Sequence, residues 1–154
     1  MTARIAELAP GYDQSGAFPA DSLRIAHEAG LLTATIGESY GGRGARVEES
    51  ARILHRIGQG DPSVALIAAM TLNTHARQAV QPHWPEELYA RVVKESFERP
   101  VLVNHARVEP ELGSPARGGL PSTLARRTPD GWSLSGTKRF VTGAEGLEDR
   151  KSVV

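Results

Sequence analysis

The sequence predicts an α+β chain in which an all-α helical bundle is followed by part of an antiparallel β-barrel. Two observations support this class. Apolar residues recur at helical spacing through the first two thirds of the 154 residues, whereas beyond Pro100 they alternate with polar residues, as in strands. We therefore expect a helical domain at residues 1–99 and an incomplete β domain at 100–148.

Four amphipathic helices are predicted in the first domain. The first ends at residues 5–8, because Pro10 and Gly11 would stop it. The others span about 19–29, 47–57 and 85–96, and each carries apolar residues on one face.

One further helix, the fourth in chain order, has a different character. Asp61 is placed to cap it and Pro62 suits its first turn. Residues 64–72 are apolar nearly all round, so we expect this helix in the middle of the bundle, covered on every side.

Strands are predicted at 101–103, 122–127, 132–135 and 138–142. The segment 129–131, Pro-Asp-Gly, has the composition of a turn between antiparallel strands. Residues 149–154 are interpreted as a non-native tail and are left out of the fold prediction.

Composition excludes several classes of function. Eighteen basic residues balance eighteen acidic ones, so no charge excess indicates a nucleic-acid or membrane partner. The chain has no cysteine, which removes disulfides and thiolate chemistry, and its five histidines lack metal-ligand spacing. No signal peptide or membrane-spanning stretch is predicted, and we expect a cytoplasmic protein without a metal site.

Two segments are candidates for ligand binding. In the loop at 104–119, Gly113 allows close approach of a ligand to the backbone and Ser114 offers a hydroxyl. On the strand predicted at 138–142, Phe140 could cover a planar ring, and Thr142 would point to the same side. Taken alone, the first segment is better explained as an ordinary turn and the second as an ordinary core strand.

Four motifs in order resemble the acyl-CoA dehydrogenase family over about residues 5–146. They are the segment EAGLL…ESYGG at 28–42, DPSVA at 61–65, EPELGS at 109–114 and LSGTKRFVTG at 134–143. The resemblance implies an N-terminal helical domain, a middle β-barrel domain and a C-terminal helical bundle. The last of these, with its catalytic Glu base, is expected to lie outside this sequence.

The resemblance also implies FAD as the cofactor. By motif position, Val108 lies at the pyrimidine edge of the flavin and Ser114 at the pyrophosphate, while Phe140 stacks on the isoalloxazine and Thr142 lies near N5. Gly113 belongs to the same loop, and Arg107 could stabilise negative charge on the reduced ring. Val108 departs from the family pattern, which has Thr there. His105 and Arg107 also depart from it, in place of an aromatic and a small residue.

The implied reaction is α,β-dehydrogenation of an acyl-CoA thioester, by a protein that is a homodimer or homotetramer at full length. No glutamate of this sequence is nominated as the base, and Glu109 is assigned to the flavin loop. A flavin-dependent monooxygenase on the same fold and a non-catalytic helical interaction module are the alternative hypotheses. The chain alone is expected to be inactive and to hold FAD poorly.

Overall fold

A computed structural model describes residues 1–112 and 118–147, and within these residues it confirms the α+β class. The predicted site residues Gly113 and Ser114 and the tail at 149–154 lie outside the described residues. The described elements are helices α1 (Thr2–Ser15), α2 (Ala20–Glu28), α3 (Val47–Gly58), α4 (Pro62–Val80) and α5 (Glu86–Glu98), and strands β1 (Leu124–Thr128) and β2 (Gly131–Ser135).

Helix α1 is longer than predicted, because it continues through Pro10. It ends only at Gly16, whose left-handed backbone (φ 66°) lets its N–H donate to the Tyr12 carbonyl at 2.9 Å. An interior proline costs about 3 kcal/mol in a helix. Tertiary packing offsets this cost, since Ile5 is fully buried in the main core and the Thr2 hydroxyl donates to the Arg56 carbonyl.

Helix α4 is the central element of the bundle. The Asp61 carboxylate caps it as predicted, accepting from the backbone N–H groups of Ser63 at 2.7 Å and Val64 at 3.4 Å. One face of the helix packs into the main hydrophobic core, to which α1, α2 and α3 also contribute. The largest fully buried side chains of this core are Ile5, Leu23, Leu32, Ile57, Val64 and Leu72.

The opposite face of α4 is not covered by the described residues, so the prediction of burial on every side is wrong there. Leu66 is 53% exposed and Val80 is 87% exposed. With Met70 and Asn73 they form a stripe at helical spacing, which we call the open face of α4. This face is available to form one wall of a cleft.

Residues 101–103 are buried but do not form the predicted strand. Leu102 makes one isolated parallel bridge to Leu147, and Val103 is held by a side chain of α4. The Thr71 hydroxyl accepts from the Val103 N–H at 3.1 Å and lies 3.5 Å from its carbonyl. The extended segment therefore runs along α4 instead of joining a sheet, because Thr71 supplies the partners that a neighbouring strand would give.

Strands β1 and β2 form the predicted antiparallel hairpin. Thr128 pairs with Gly131 next to the turn, and the register continues to Leu124 opposite Ser135. Gly131 has φ 138°, a conformation that favours glycine. The apolar residues Leu124, Trp132 and Leu134 remain at least half exposed. No helix in the described part of the chain is long and apolar enough to cross a membrane.

Candidate functional site

A cleft of about 720 Å³ lies between α4 and the two segments that follow the helical domain. Helix α4 contributes Met70, Asn73 and Val80 of its open face, together with Thr74, Ala76 and Arg77. The remaining lining comes from the start of α3, from the segment 104–108 and from the segment around 140–142; these residues are Val47, Asn104, His105, Arg107, Val108, Phe140 and Thr142. Its volume is typical of small-molecule sites.

Four of the six predicted site residues line this cleft together: Arg107, Val108, Phe140 and Thr142. The first pair is separated from the second by more than thirty positions in the sequence. The other two, Gly113 and Ser114, lie outside the described residues, so their position relative to the cleft stays a prediction.

The segment that carries Phe140 is not a strand, and this part of the prediction is wrong. Phe140 has φ 56°, which places a bulky residue in the left-handed region and breaks strand geometry. Its ring is 79% exposed, with the Arg139 guanidinium carbon 5.1 Å from the ring centroid. Phe140 and Thr142 nevertheless line the same cleft. They do so because the backbone turns at Phe140, and not because side chains alternate along a strand.

Hydrogen bonds tie the two segments to each other. The Arg139 N–H donates to the Val108 carbonyl at 3.0 Å, next to Phe140. The Asn104 amide donates to the Thr142 carbonyl at 2.9 Å, and its Oδ1 accepts from the His105 N–H at 2.7 Å. Each of these bonds joins residues that line the cleft or are adjacent to it, so the cleft wall is built as one unit.

Glu109, next to Val108, is the buried anchor of this unit. Its carboxylate accepts from the N–H and hydroxyl groups of Ser122 and Thr123 at 2.5 to 3.0 Å. Lys138 Nζ completes the set at 2.7 Å. The Lys138 ammonium and the other donors hold the pKa of the Glu109 carboxyl well below its usual range. A carboxylate with both oxygens occupied in this way is not a proton acceptor, which agrees with its assignment to the loop rather than to the base.

The histidines take up different environments. His75, which follows the apolar part of α4, is buried and contacts the Tyr89 hydroxyl through Nδ1 at 3.0 Å. His105 lines the cleft, with Nε2 3.5 Å from the Thr74 hydroxyl. Burial, Arg107 and Arg77 lower the pKa of His105. Within the described residues no cluster of three or more acidic, histidine or cysteine side chains could hold a metal ion.

Sequence reasoning did not select the cleft residues on α4. Asn73, Thr74 and Arg77 were absent from the predicted site, although they share the cleft with its members. Asn73 and Arg77 are exposed, but polar residues at similar spacings, such as Thr74, are buried, so the sequence of α4 carried no signal that separates the cleft residues from the rest.

Comparisons with known proteins agree with the motif resemblance. The model of the acyl-CoA dehydrogenase N-terminal domain matches residues 1–95. The chain is 32% identical over 136 residues to YdbM of Bacillus subtilis (strain 168), which carries the name of an acyl-CoA dehydrogenase, and the match covers 88% of this chain and 35% of that protein.

Two further relatives have lower identity. The chain is 28% identical to FadE25 of Mycobacterium leprae (strain TN), also named as an acyl-CoA dehydrogenase, over 90% of this chain and 34% of the relative. It is 25% identical to the mitochondrial isobutyryl-CoA dehydrogenase of Dictyostelium discoideum, over 89% of this chain and 32% of the relative. The chain thus spans about a third of the length of these curated relatives, and it belongs to the acyl-CoA dehydrogenase family.

Proposed function

We propose that this chain forms part of an FAD-dependent oxidoreductase that carries out α,β-dehydrogenation of acyl-CoA thioesters. The observation that carries the proposal is the shared cleft: residues implied by two separate flavin motifs line it together with the open face of α4. Because the chain spans about a third of its relatives, the activity is proposed for the whole protein.

The residues present fit a flavin ring. Phe140 offers an exposed aromatic face, which suits stacking on a flat heteroaromatic group. Thr142 lines the same cleft, and its hydroxyl is a hydrogen-bond donor. Arg107 also lines the cleft, and its guanidinium can stabilise negative charge on the ring. The cleft encloses about 720 Å³, and the predicted phosphate contact, Ser114, lies outside the described residues.

When bound, FAD supplies a hydride acceptor for the β-carbon of the acyl group. The chain's own residues orient the reacting groups. Phe140 would cover one face of the ring and Thr142 would donate a hydrogen bond at its edge, while Met70 and Val80 of α4, which line the same cleft, would present an apolar wall to the acyl chain. No residue of this chain is assigned as the base that removes the α-proton. The Glu109 carboxylate is unsuited to that role, because both of its oxygens already accept hydrogen bonds within the protein.

The hairpin supports the proposal that the working protein is a larger assembly, a homodimer or homotetramer. Trp132 is 67% exposed, and Leu134, two positions along the same strand and therefore on the same face, is 55% exposed; in the described part of the chain these strands form a two-stranded ribbon. Such a ribbon is marginally stable without further contacts, and clustered apolar side chains on a surface mark sites of interaction.

Flavin binding by the 154-residue chain tests the proposal directly. We expect weak binding of FAD, seen as a change in flavin fluorescence, and about two- to tenfold weaker binding after Phe140→Ala, as expected for loss of one aromatic stacking contact. Phe97→Ala is the matched control, because Phe97 is a half-exposed phenylalanine of α5 that does not line the cleft. Binding that is unaffected by Phe140→Ala, or reduced equally by both substitutions, would contradict the proposed site.

A further inference from the structure

Asn104 is a buried amide that joins the two segments of the cleft wall. The residue lines the cleft and is only 7% exposed. Its Nδ2 donates to the Thr142 carbonyl at 2.9 Å, and its Oδ1 accepts from the His105 N–H at 2.7 Å. Because a carbonyl can only accept and a backbone N–H can only donate, these two partners fix which end of the amide faces which segment.

The backbone next to Asn104 is itself held by helix α4. The preceding residue, Val103, is fully buried, and the Thr71 hydroxyl of α4 accepts from its N–H at 3.1 Å. Helix α4 is fixed in turn by the main hydrophobic core. A continuous set of contacts therefore runs from the central helix through Val103 and Asn104 to Thr142, although Asn104 and Thr142 are 38 positions apart.

The turn at 140–142 needs contacts from outside to keep its shape. Phe140 has a left-handed backbone, which costs free energy in any residue but glycine and persists only where the surroundings enforce it. The Arg139 N–H bond to the Val108 carbonyl holds the chain before Phe140, and the Asn104 amide holds it after, at the Thr142 carbonyl. Among the hydrogen bonds of the described residues, these two join 139–142 to 104–108.

Resting on the function proposed above, we propose that Asn104 is a positioning residue of the cofactor cleft. Its amide holds the turn at 140–142 in the conformation that brings the Phe140 ring and the Thr142 hydroxyl to the cleft. Asn104 belongs to none of the four family motifs, and it acts on the flavin through Phe140 and Thr142. Its loss should therefore displace these two side chains while the helical domain stays folded.

The first test measures backbone NMR resonances of the 154-residue chain without flavin. Asn104→Leu removes both hydrogen bonds, whereas Asn104→Asp keeps the acceptor for the His105 N–H and places an oxygen where the donor towards Thr142 was. We expect both variants to shift the Thr142 carbonyl resonance and the amide resonances of 140–143. The resonances of α1, which does not line the cleft, should stay in place. Circular dichroism verifies that each variant is folded.

The second test determines whether Asn104 acts through Phe140. Binding of FAD is measured by flavin fluorescence for Asn104→Leu, for Phe140→Ala and for the double variant. We expect each single substitution to weaken binding about two- to tenfold, and the double variant to weaken it little more than the larger single effect, because no Phe140 ring is then left to position. Asn73→Leu is the matched control, since Asn73 lines the same cleft from α4, and its effect should multiply with that of Phe140→Ala.

Two outcomes would overturn the proposal. Unchanged resonances at 140–143 in both Asn104 variants would show that the turn holds without the amide. Effects of Asn104→Leu and Phe140→Ala on FAD binding that multiply would show that Asn104 does not act through Phe140. Failure of the unsubstituted chain to bind FAD, with the resonances shifted as expected, would instead contradict the flavin function and leave the role of Asn104 in the turn standing.

Discussion

His75 of α4 and Tyr89 of α5 form a hydrogen bond of 3.0 Å in the interior, between the imidazole Nδ1 and the phenol oxygen. Both side chains are almost completely buried, and the edges of Tyr40 and Trp84 pack around the phenol ring. Burial lowers the pKa of His75 from 6.5 to about 4 and raises the pKa of Tyr89 to about 12. At neutral pH the pair is therefore uncharged and joins the two helices.

Protonation of His75 is expected to make the fold sensitive to acid. The folded-state pKa lies below the unfolded value, so the unfolded chain binds more protons between them and stability falls as the pH decreases from 6.5 towards 4. Between pH 7 and pH 5 this group should cost on the order of 2 kcal/mol. Urea unfolding at both pH values measures the loss.

The variant His75→Gln isolates this contribution, because glutamine does not titrate. We expect its stability to be lower than that of the wild type at pH 7 but to change less between pH 7 and pH 5. An identical pH dependence in both proteins would show that another group is responsible. Glu109 interferes little between pH 7 and pH 5, because a carboxylate with a lowered folded pKa loses its stabilising effect only as the pH falls below its ordinary value of 4.5.

The buried pair of Glu109 and Lys138 should contribute to the stability of the cleft wall. Lys138→Met leaves the Glu109 carboxylate without its cation, and we expect the melting temperature to fall by on the order of 10 °C. The double change Glu109→Gln with Lys138→Met should recover much of this loss, because no uncompensated charge then remains buried.

A surface ion pair provides the control for that measurement. Arg52 and Glu48 are paired on α3, with both side chains more than 70% exposed. Because exposed pairs contribute little, Arg52→Gln should change the melting temperature by no more than about 1–2 °C. If the melting temperature falls as little for Lys138→Met as for Arg52→Gln, the buried pair contributes no more to stability than the exposed pair does.

The cap of α4 is expected to matter for the whole bundle. Asp61→Ala removes the acceptor of two backbone N–H groups and should destabilise the chain by about 1–2 kcal/mol in urea unfolding. Asp61→Ser keeps a capping oxygen, and it should therefore reduce the free energy of unfolding by only a small part of this amount. Equal losses for the two substitutions would argue against capping as the cause.

Gly42 is predicted to be intolerant of any side chain. A Cβ there would lie 2.1 Å from the Ile36 carbonyl oxygen, which also accepts from the Gly44 N–H at 2.8 Å. Gly42→Ala should therefore cost about 2–3 kcal/mol. The contrast is Gly11 in α1, where a Cβ would meet nothing within 4 Å and Gly11→Ala should stabilise the helix by up to about 1 kcal/mol. Thermal unfolding of both variants provides the comparison.

The order of the helices, the Asp61 cap and the turn at Gly131 could be predicted from the amino-acid sequence, because each depends on interactions between residues close in the chain. Motif order was also sufficient to identify the family and to select Arg107, Val108, Phe140 and Thr142. The local rule failed at Pro10, where burial of Ile5 outweighed the tendency of proline to end a helix.

Which face of α4 is open, and where Phe140 lies, depend on contacts between segments that are far apart in the chain. An apolar helix does not show from its own residues which neighbours will cover it, so Asn73 and Arg77 became cleft residues only when the segments 104–108 and 140–142 packed beside them. The left-handed backbone of Phe140 likewise follows Arg139, whose N–H is bonded to the Val108 carbonyl some thirty residues away. Contacts between residues distant in the chain carry no periodicity in the sequence, and they set the geometry of this site.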